Sequence, residues 1–204
     1  MNVSDINVAQ HREATSGLSV DQRFLDRWSP RAMTGQSLQD TELLTLVEAA
    51  RWAPSCFNAQ PWRFAYVANS SPGWQELLAT LVPGNQAWAQ RAGALIAVIS
   101  RKEFEHNGAS APTHAFDAGA AWMSLALQAS AMGLVAHGMR GFDLDAARDC
   151  LKVPQLYELQ AIIAVGHPGR VEDLADAYQE RELPSGRKTL VEIAFAGGFE
   201  RLPQ

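Results

Sequence analysis

With 204 residues, 47% of them hydrophobic and 19% charged, the chain carries enough apolar material for a sizeable core and reads as one globular unit. Its formal net charge of -5 argues against a general polyanion binder, because such proteins present a basic face to phosphates. Any phosphate it holds must be met by a local cluster of cations.

Residues 1–18 contain Asp5, His11, Arg12 and Glu13 without an apolar run, which predicts a loose N-terminal arm ahead of a domain over 19–204. Ser19 and Gln22 form a capping-box pattern, and Phe24, Leu25 and Trp28 follow at helical spacing, so a first helix is expected over 20–28, stopped by Pro30. A second helix is expected over 39–52, with Leu43, Leu46, Val47 and Ala50 on one face, Ser37 or Asp40 as cap and Pro54 as stop. Trp62, Phe64 and Tyr66 alternate with Arg63 and Ala65, the period of a strand. Ser71 and Pro72 open a third helix that Pro83, Gly84 and Asn85 close, and a short helix carrying Trp88 follows.

Residues 94–100 form an apolar run of strand length, and the polar stretch 101–112 reads as a surface loop. The longest element is expected over 113–132, ending at Gly133, with Phe116, Ala120, Met123 and Leu127 along one face and Gly119, Ala121 and Ser124 keeping others small. A strand over 134–139, a helix from Asp143 through Leu151 and a strand over 160–165 come next. The charged stretch 170–188 reads as an extended surface segment before a short helix over 190–196. Four strands mixed with helices, without strict alternation, favour an α+β layer fold over a doubly wound sheet.

Familiar catalytic motifs are missing. No G-x-G-x-x-G follows a strand, and Gly186, Arg187, Lys188 and Thr189 imitate the end of a P-loop whose leading glycine is replaced by Arg181. Neither H-E-x-x-H nor G-x-S-x-G occurs, and the five histidines are dispersed. His106 and His114 bracket the polar loop, but surface histidines are the simpler reading, as a small buried thiol is for Cys56. Cys56 and Cys150 lack both C-x-x-C spacing and disulfide density, which favours a reducing, cytoplasmic setting. The most apolar stretch, over 118–127, is far short of the ~20 residues that span a bilayer.

Three segments concentrate groups suited to an anionic, planar ligand. Arg27, Trp28, Ser29, Pro30 and Arg31 place two guanidinium forks and a hydroxyl at a helix end, where cations also suit the helix dipole without any ligand. The turn from Ala53 through Trp62 is dense in hydrogen-bonding side chains, and Arg187 with Lys188 forms a basic pair before a helix. In this order the segments resemble the nitroreductase family, whose pattern runs from Arg-x-Ser-x-Arg into A-P-S-x-x-N-x-Q-P-W. The resemblance continues through Asp117 to Ala121, Met132 to Leu134, Gly138 to Phe142, Ala164 to Gly169 and Arg187 to Leu190, covering nearly the whole chain from Val20 onward. Trp28 departs from it, standing where many members carry a second basic residue.

The resemblance implies an α+β fold with a central, mainly antiparallel sheet flanked by helices and a long central helix at a dimer interface. It implies FMN as cofactor and NADH or NADPH as reductant, with small acceptors such as nitroaromatics or quinones reduced in a ping-pong sequence. Arg27, Ser29 and Arg31 would hold the phosphate and ribityl chain, helped by Arg187 and Lys188. Pro54, Ser55 and Asn58 would reach the ring from the partner subunit of a homodimer, while Met139, Arg140 and Gly141 pass beneath it, Gly138 and Gly141 permitting close approach. No catalytic side chain, metal, nucleic acid or membrane partner is implied. A flavin-binding sensor or carrier without fast turnover, and a non-flavin reductase, stand as the alternatives.

Overall fold

The computed structural model describes residues 1–198; the end of the expected domain, 199–204, lies outside the described residues. α1 (Gln22–Asp26) is shorter than expected and is capped by Asp21, whose side chain accepts from the Arg23 amide, in place of Ser19. α2 (Asp40–Arg51) begins one residue inside the expected range, at neither Ser37 nor Asp40 as cap. Gln39 caps it, and the Glu42 carboxylate accepts the Gln39 backbone N–H at 2.8 Å. After β1 (Trp62–Ala68), Ser71 and Pro72 form a turn, and α3 (Trp74–Ala79) starts beyond Gly73, which takes φ 88°. Pro83 does not close that helix; it opens α4 (Pro83–Ala89) from the first-turn position, where a missing N–H costs nothing.

β2 (Ala94–Arg101), α5 (His114–Ala131), β3 (Val135–Met139) and α6 (Leu144–Cys150, capped by Asp143) fall within a residue or so of their expected bounds. β4 (Tyr157–Gly166) begins three residues earlier than expected, because Tyr157 and Glu158 do not continue the apolar run. Short α7 (Asp176–Gln179) and α8 (Leu190–Ile193) complete the described chain.

The sheet has the order β1-β2-β4-β3, and every pairing is antiparallel, with a register irregularity between Val98 and Ile99. Alternate residues of β2 feed two cores. Leu95, Ala97 and Ile99 join Leu77, Trp88, Leu159 and Ile162 on the face covered by α3, α4 and α6. Ala94, Ile96 and Val98 join Leu43, Leu46 and Ala50 of α2 and Ala118, Ala121, Leu125 and Ala129 of α5 on the other. Each buried Leu or Ile contributes roughly 1.5–3 kcal/mol relative to exposure, so the two-sided sheet fixes its own register. The small residues of α5 let that helix lie close to the sheet. Its opposite face is open: Phe116 is 81% exposed and Met123 36%.

The N-terminal arm is not loose. Val3 and Ile6 are buried in the first core, and the Val3 N–H donates to the Gly169 carbonyl at 3.0 Å. The segment 170–188 also departs from a surface reading, since Leu174, Glu182 and Pro184 are buried. Among the described residues no helix is long and apolar enough to cross a membrane.

Candidate functional site

α1 ends at Arg27, whose backbone N–H closes the helix onto the Arg23 carbonyl. Its guanidinium turns back into the protein, donating from Nη1 to Ser29 Oγ at 3.3 Å. The Arg27 Nε is buried and has no hydrogen-bond partner among the described residues. Leaving such a donor unmatched costs about 1–3 kcal/mol, which a charged acceptor would recover. Burial first, and then the charge of Arg187, hold Arg27 below the ordinary arginine pKa.

A third cation, which no motif announced, completes this group. Arg12 reaches in from the arm and is lowered by burial, then by the charges of Arg187 and Arg27. Arg187 is exposed and donates to the Ser185 and Gly186 carbonyls at 3.1 and 2.9 Å, and Lys188 is exposed next to it. A recess of about 630 Å³ opens here, with Arg12, Arg187 and Lys188 facing Leu18, Phe24 and Leu190. Arg27 itself lines a neighbouring cavity of about 280 Å³ with Trp28, Pro30 and Ser4.

Arg31 is held apart from that group. Its Nη1 lies 3.2 Å from Oε2 of Glu182, whose side chain is fully buried. The other Glu182 oxygen accepts the backbone N–H groups of Arg31 and Ala32. Arg31 also lies near His137 of β3, whose Nδ1–H donates to the Pro30 carbonyl at 3.2 Å and whose ring tilts against Trp88 with centroids 4.7 Å apart. Burial, followed by the charge of Arg31, depresses the His137 pKa below its ordinary value; contact with the Pro30 carbonyl works the other way.

At the end of β3, Met139 is buried and Arg140 projects outward, its guanidinium 4.9 Å from the Phe142 ring centre. The glycines here serve the protein's own packing. A Cβ on Gly141 would lie 2.8 Å from Asn85 Nδ2, and one on Gly138 would lie 3.3 Å from Trp122 Cζ2. Both positions therefore leave little room for a side chain, whatever lies against their backbone.

The turn containing Pro54, Ser55 and Asn58 lies beside the start of α5. Ser55 Oγ accepts the Gln60 N–H at 3.0 Å, and buried Asp117 of α5 accepts from the Cys56 N–H and the Thr113 hydroxyl, each at 3.2 Å. Phe57, Asn58 and Gln60 take φ values of 52°, 53° and 46°, a concentration of left-handed backbone in non-glycine residues that marks an over-determined turn. Phe57 is 83% exposed at its tip. Among the described residues no hydrogen bond joins this turn to Arg27, Ser29, Arg31, Arg187 or Lys188. The structure therefore gathers Arg27, Ser29 and Arg187 in one place and leaves the turn at another. Sequence reasoning missed Arg12, Glu182 and the Asp117 contact, because each acts on a segment remote in the chain.

The family model described as the nitroreductase family matches residues 25–72 and 68–167. A crystal structure of an oxidoreductase containing FMN superposes with a TM-score of 0.86 and 44% identity, covering 91% of this chain and 95% of that one. An uncharacterised 15.4 kDa protein from the ask 5′ region of Mycolicibacterium smegmatis is 35% identical over 59% of this chain and 80% of its own length. A candidate NAD(P)H nitroreductase of Bacillus subtilis (strain 168), YdgI, is 42% identical over 29% of this chain and 27% of its own. The residues matched run from the end of α1 through β4, so both the cation-bearing helix end and the strained turn fall inside them, and the chain belongs to the nitroreductase family.

Proposed function

We propose that this chain is an FMN-dependent oxidoreductase that takes electrons from NADH or NADPH and gives them to small acceptors such as nitroaromatics or quinones. One observation carries the reading: among the described residues Arg12, Arg27 and Arg187 are close together without a carboxylate partner, and a buried Arg27 Nε–H has no acceptor. A terminal phosphate dianion fits such a site in charge and in hydrogen-bonding capacity. FMN, when bound, supplies hydride acceptance and donation at its ring.

The chain's own residues would hold, orient and shield it: Arg27, Ser29 and Arg187, with Lys188, would bind the phosphate end, and the 139–141 backbone would lie against the ring. His137, kept neutral by burial and by Arg31, adds no further positive charge to the site. Donor and acceptor would share one open face of the flavin and visit it in turn, which gives ping-pong kinetics and leaves no side-chain acid or nucleophile obligatory. The Pro54–Asn58 turn and the outer face of α5, with Phe116 and Met123, are exposed in the single chain. A homodimer would bring the turn of one subunit to the ring of the flavin held by the other. Two-fold pairing is the commonest closed assembly and buries this apolar face.

The test is direct. The purified protein should be yellow, release FMN on denaturation, and bleach with NADH or NADPH before reoxidising with a quinone or nitroarene along parallel double-reciprocal plots. Recovery of FAD, or intersecting plots, contradicts the proposal, and a flavin that nicotinamide does not bleach assigns the chain to a carrier or sensor.

A further inference from the structure

Arg12 lies in the arm, outside every motif that carries the family resemblance, yet it reaches the cation cluster. Its Nε donates to the Ser185 carbonyl at 3.0 Å, and its Nη1 donates to the carbonyls of Leu25 and Arg27 at 3.3 and 2.5 Å. One planar guanidinium thus ties together three segments: the arm, the end of α1 and the loop that leads into Arg187. The remaining amino group, Nη2, has no partner among the described residues. The arm that carries it is itself anchored, through buried Val3 and Ile6 and the Val3 to Gly169 hydrogen bond.

We infer that Arg12 is a phosphate-binding and positioning residue: it sets the spacing between Arg27 and the Ser185–Arg187 loop and offers Nη2 to the same anion. This rests on the reading of the cluster as the site of an FMN phosphate. Geometry requires both halves of the role. With Nε and Nη1 committed to carbonyls, the guanidinium plane is fixed, so Nη2 is aimed before ligand arrives and little side-chain freedom is lost on binding. The charges of Arg12, Arg27 and Arg187 repel one another, and an anion bound among them would relieve that repulsion. A consequence is that residues 1–12 are part of the cofactor site even though no motif marks them.

The experiment titrates the full-length apoprotein with FMN and with riboflavin, which lacks the phosphate, following quenching of flavin fluorescence at several salt concentrations. Arg12→Gln and Arg12→Lys are compared with the unmodified chain, and thermal melts of the apoproteins report folding. Arg12→Gln should weaken FMN roughly ten- to a hundredfold, leave riboflavin within about twofold, and flatten the salt dependence of FMN binding. Arg12→Lys should recover part of the FMN affinity, since it restores charge but not the fork. Unchanged FMN affinity in a folded Arg12→Gln protein, or equal weakening toward both flavins, overturns the role of Arg12 while leaving the FMN reading intact. If Arg12→Gln does not fold, Arg12→Lys decides by the same selectivity. Failure of the unmodified apoprotein to bind FMN at all refutes the functional reading and this inference together.

Discussion

Glu182 is a demanding test of how the site is held. Its carboxylate is fully buried and engages the Arg31 and Ala32 backbone N–H groups together with the Arg31 guanidinium. Replacing it with Ala leaves two amides and a partly buried cation without their acceptor. Removing one partner of a buried pair costs about 3–5 kcal/mol, and the lower part of that range suits Arg31, whose side chain keeps 20% exposure. At about 2–4 °C per kcal/mol for a chain of this size, the apoprotein should melt roughly 6–15 °C lower. In urea, with a slope of about 2 kcal/mol/M, the midpoint should fall by about 1.5–2 M. The double variant Glu182→Ala with Arg31→Ala isolates the side-chain pair: it should recover about 1–2 kcal/mol of the loss, since the orphaned cation is gone but the two amides stay unmatched. A loss below about 1 kcal/mol in Glu182→Ala, or complete recovery in the double variant, would show that the carboxylate does not anchor this backbone.

Two further outcomes follow from the geometry. Gly169→Ala places a Cβ 2.6 Å from the Met33 carbonyl carbon, against backbone that cannot withdraw, whereas Gly141→Ala meets the movable Asn85 amide at 2.8 Å; denaturant melts should show a loss of about 3 kcal/mol or more for the first and about 1 for the second, and equal losses refute the distinction. His137, whose folded-state pKa lies below the ordinary 6.5, contributes stability that is present above pH 6.5 and is lost as pH falls from there toward the depressed folded value. The difference in stability between the unmodified chain and His137→Gln should therefore shrink with a slope of at most about 1.4 kcal/mol per pH unit, and a flat difference from pH 7 to 5 contradicts a neutral buried imidazole.

The parts of the fold legible in the sequence are those whose signal is local. β1 and β2 follow from alternation and an apolar run, and α2 and α5 from periodic Leu and Ala between proline and glycine stops. β4 was only half legible because Tyr157, Glu158 and Gln160 lie in the sheet where one side stays wet, so pairing with β2 decides what pattern does not. Pro83 reads equally well as a stop and as a first-turn residue, and only the docking of Leu81 beside Phe142 settles which. The arm looked loose because its anchors are two residues, Val3 and Ile6, too few to make a period. Glu182 is surrounded by charge in the sequence, and nothing local distinguishes it from solvated neighbours; its partners lie 150 residues away. The cation cluster was legible as far as Arg27, Ser29 and Arg187, and not at Arg12, which meets its carbonyls only after folding.

The arginines that do have acidic partners make the unpartnered ones informative. Arg23, Arg51, Arg63, Arg91, Arg101 and Arg170 each contact a carboxylate within 4 Å, mostly at the surface where such pairs contribute little. The chain has 22 acidic residues against 17 Lys and Arg, so acids are in excess. Arg31 obtains a buried one. Arg12, Arg27 and Arg187, like Arg140, Arg148 and Arg181, obtain none among the described residues; Arg12 and Arg27 differ in being held below the ordinary arginine pKa by burial and by nearby cations. Three cations gathered without a carboxylate among the described residues are the observation on which the proposed anion site rests. The unmatched Arg27 Nε–H lies within that same group of cations. Arg31 shows the contrast within five residues of sequence: it is paired with buried Glu182, while Arg27 has no carboxylate partner among the described residues.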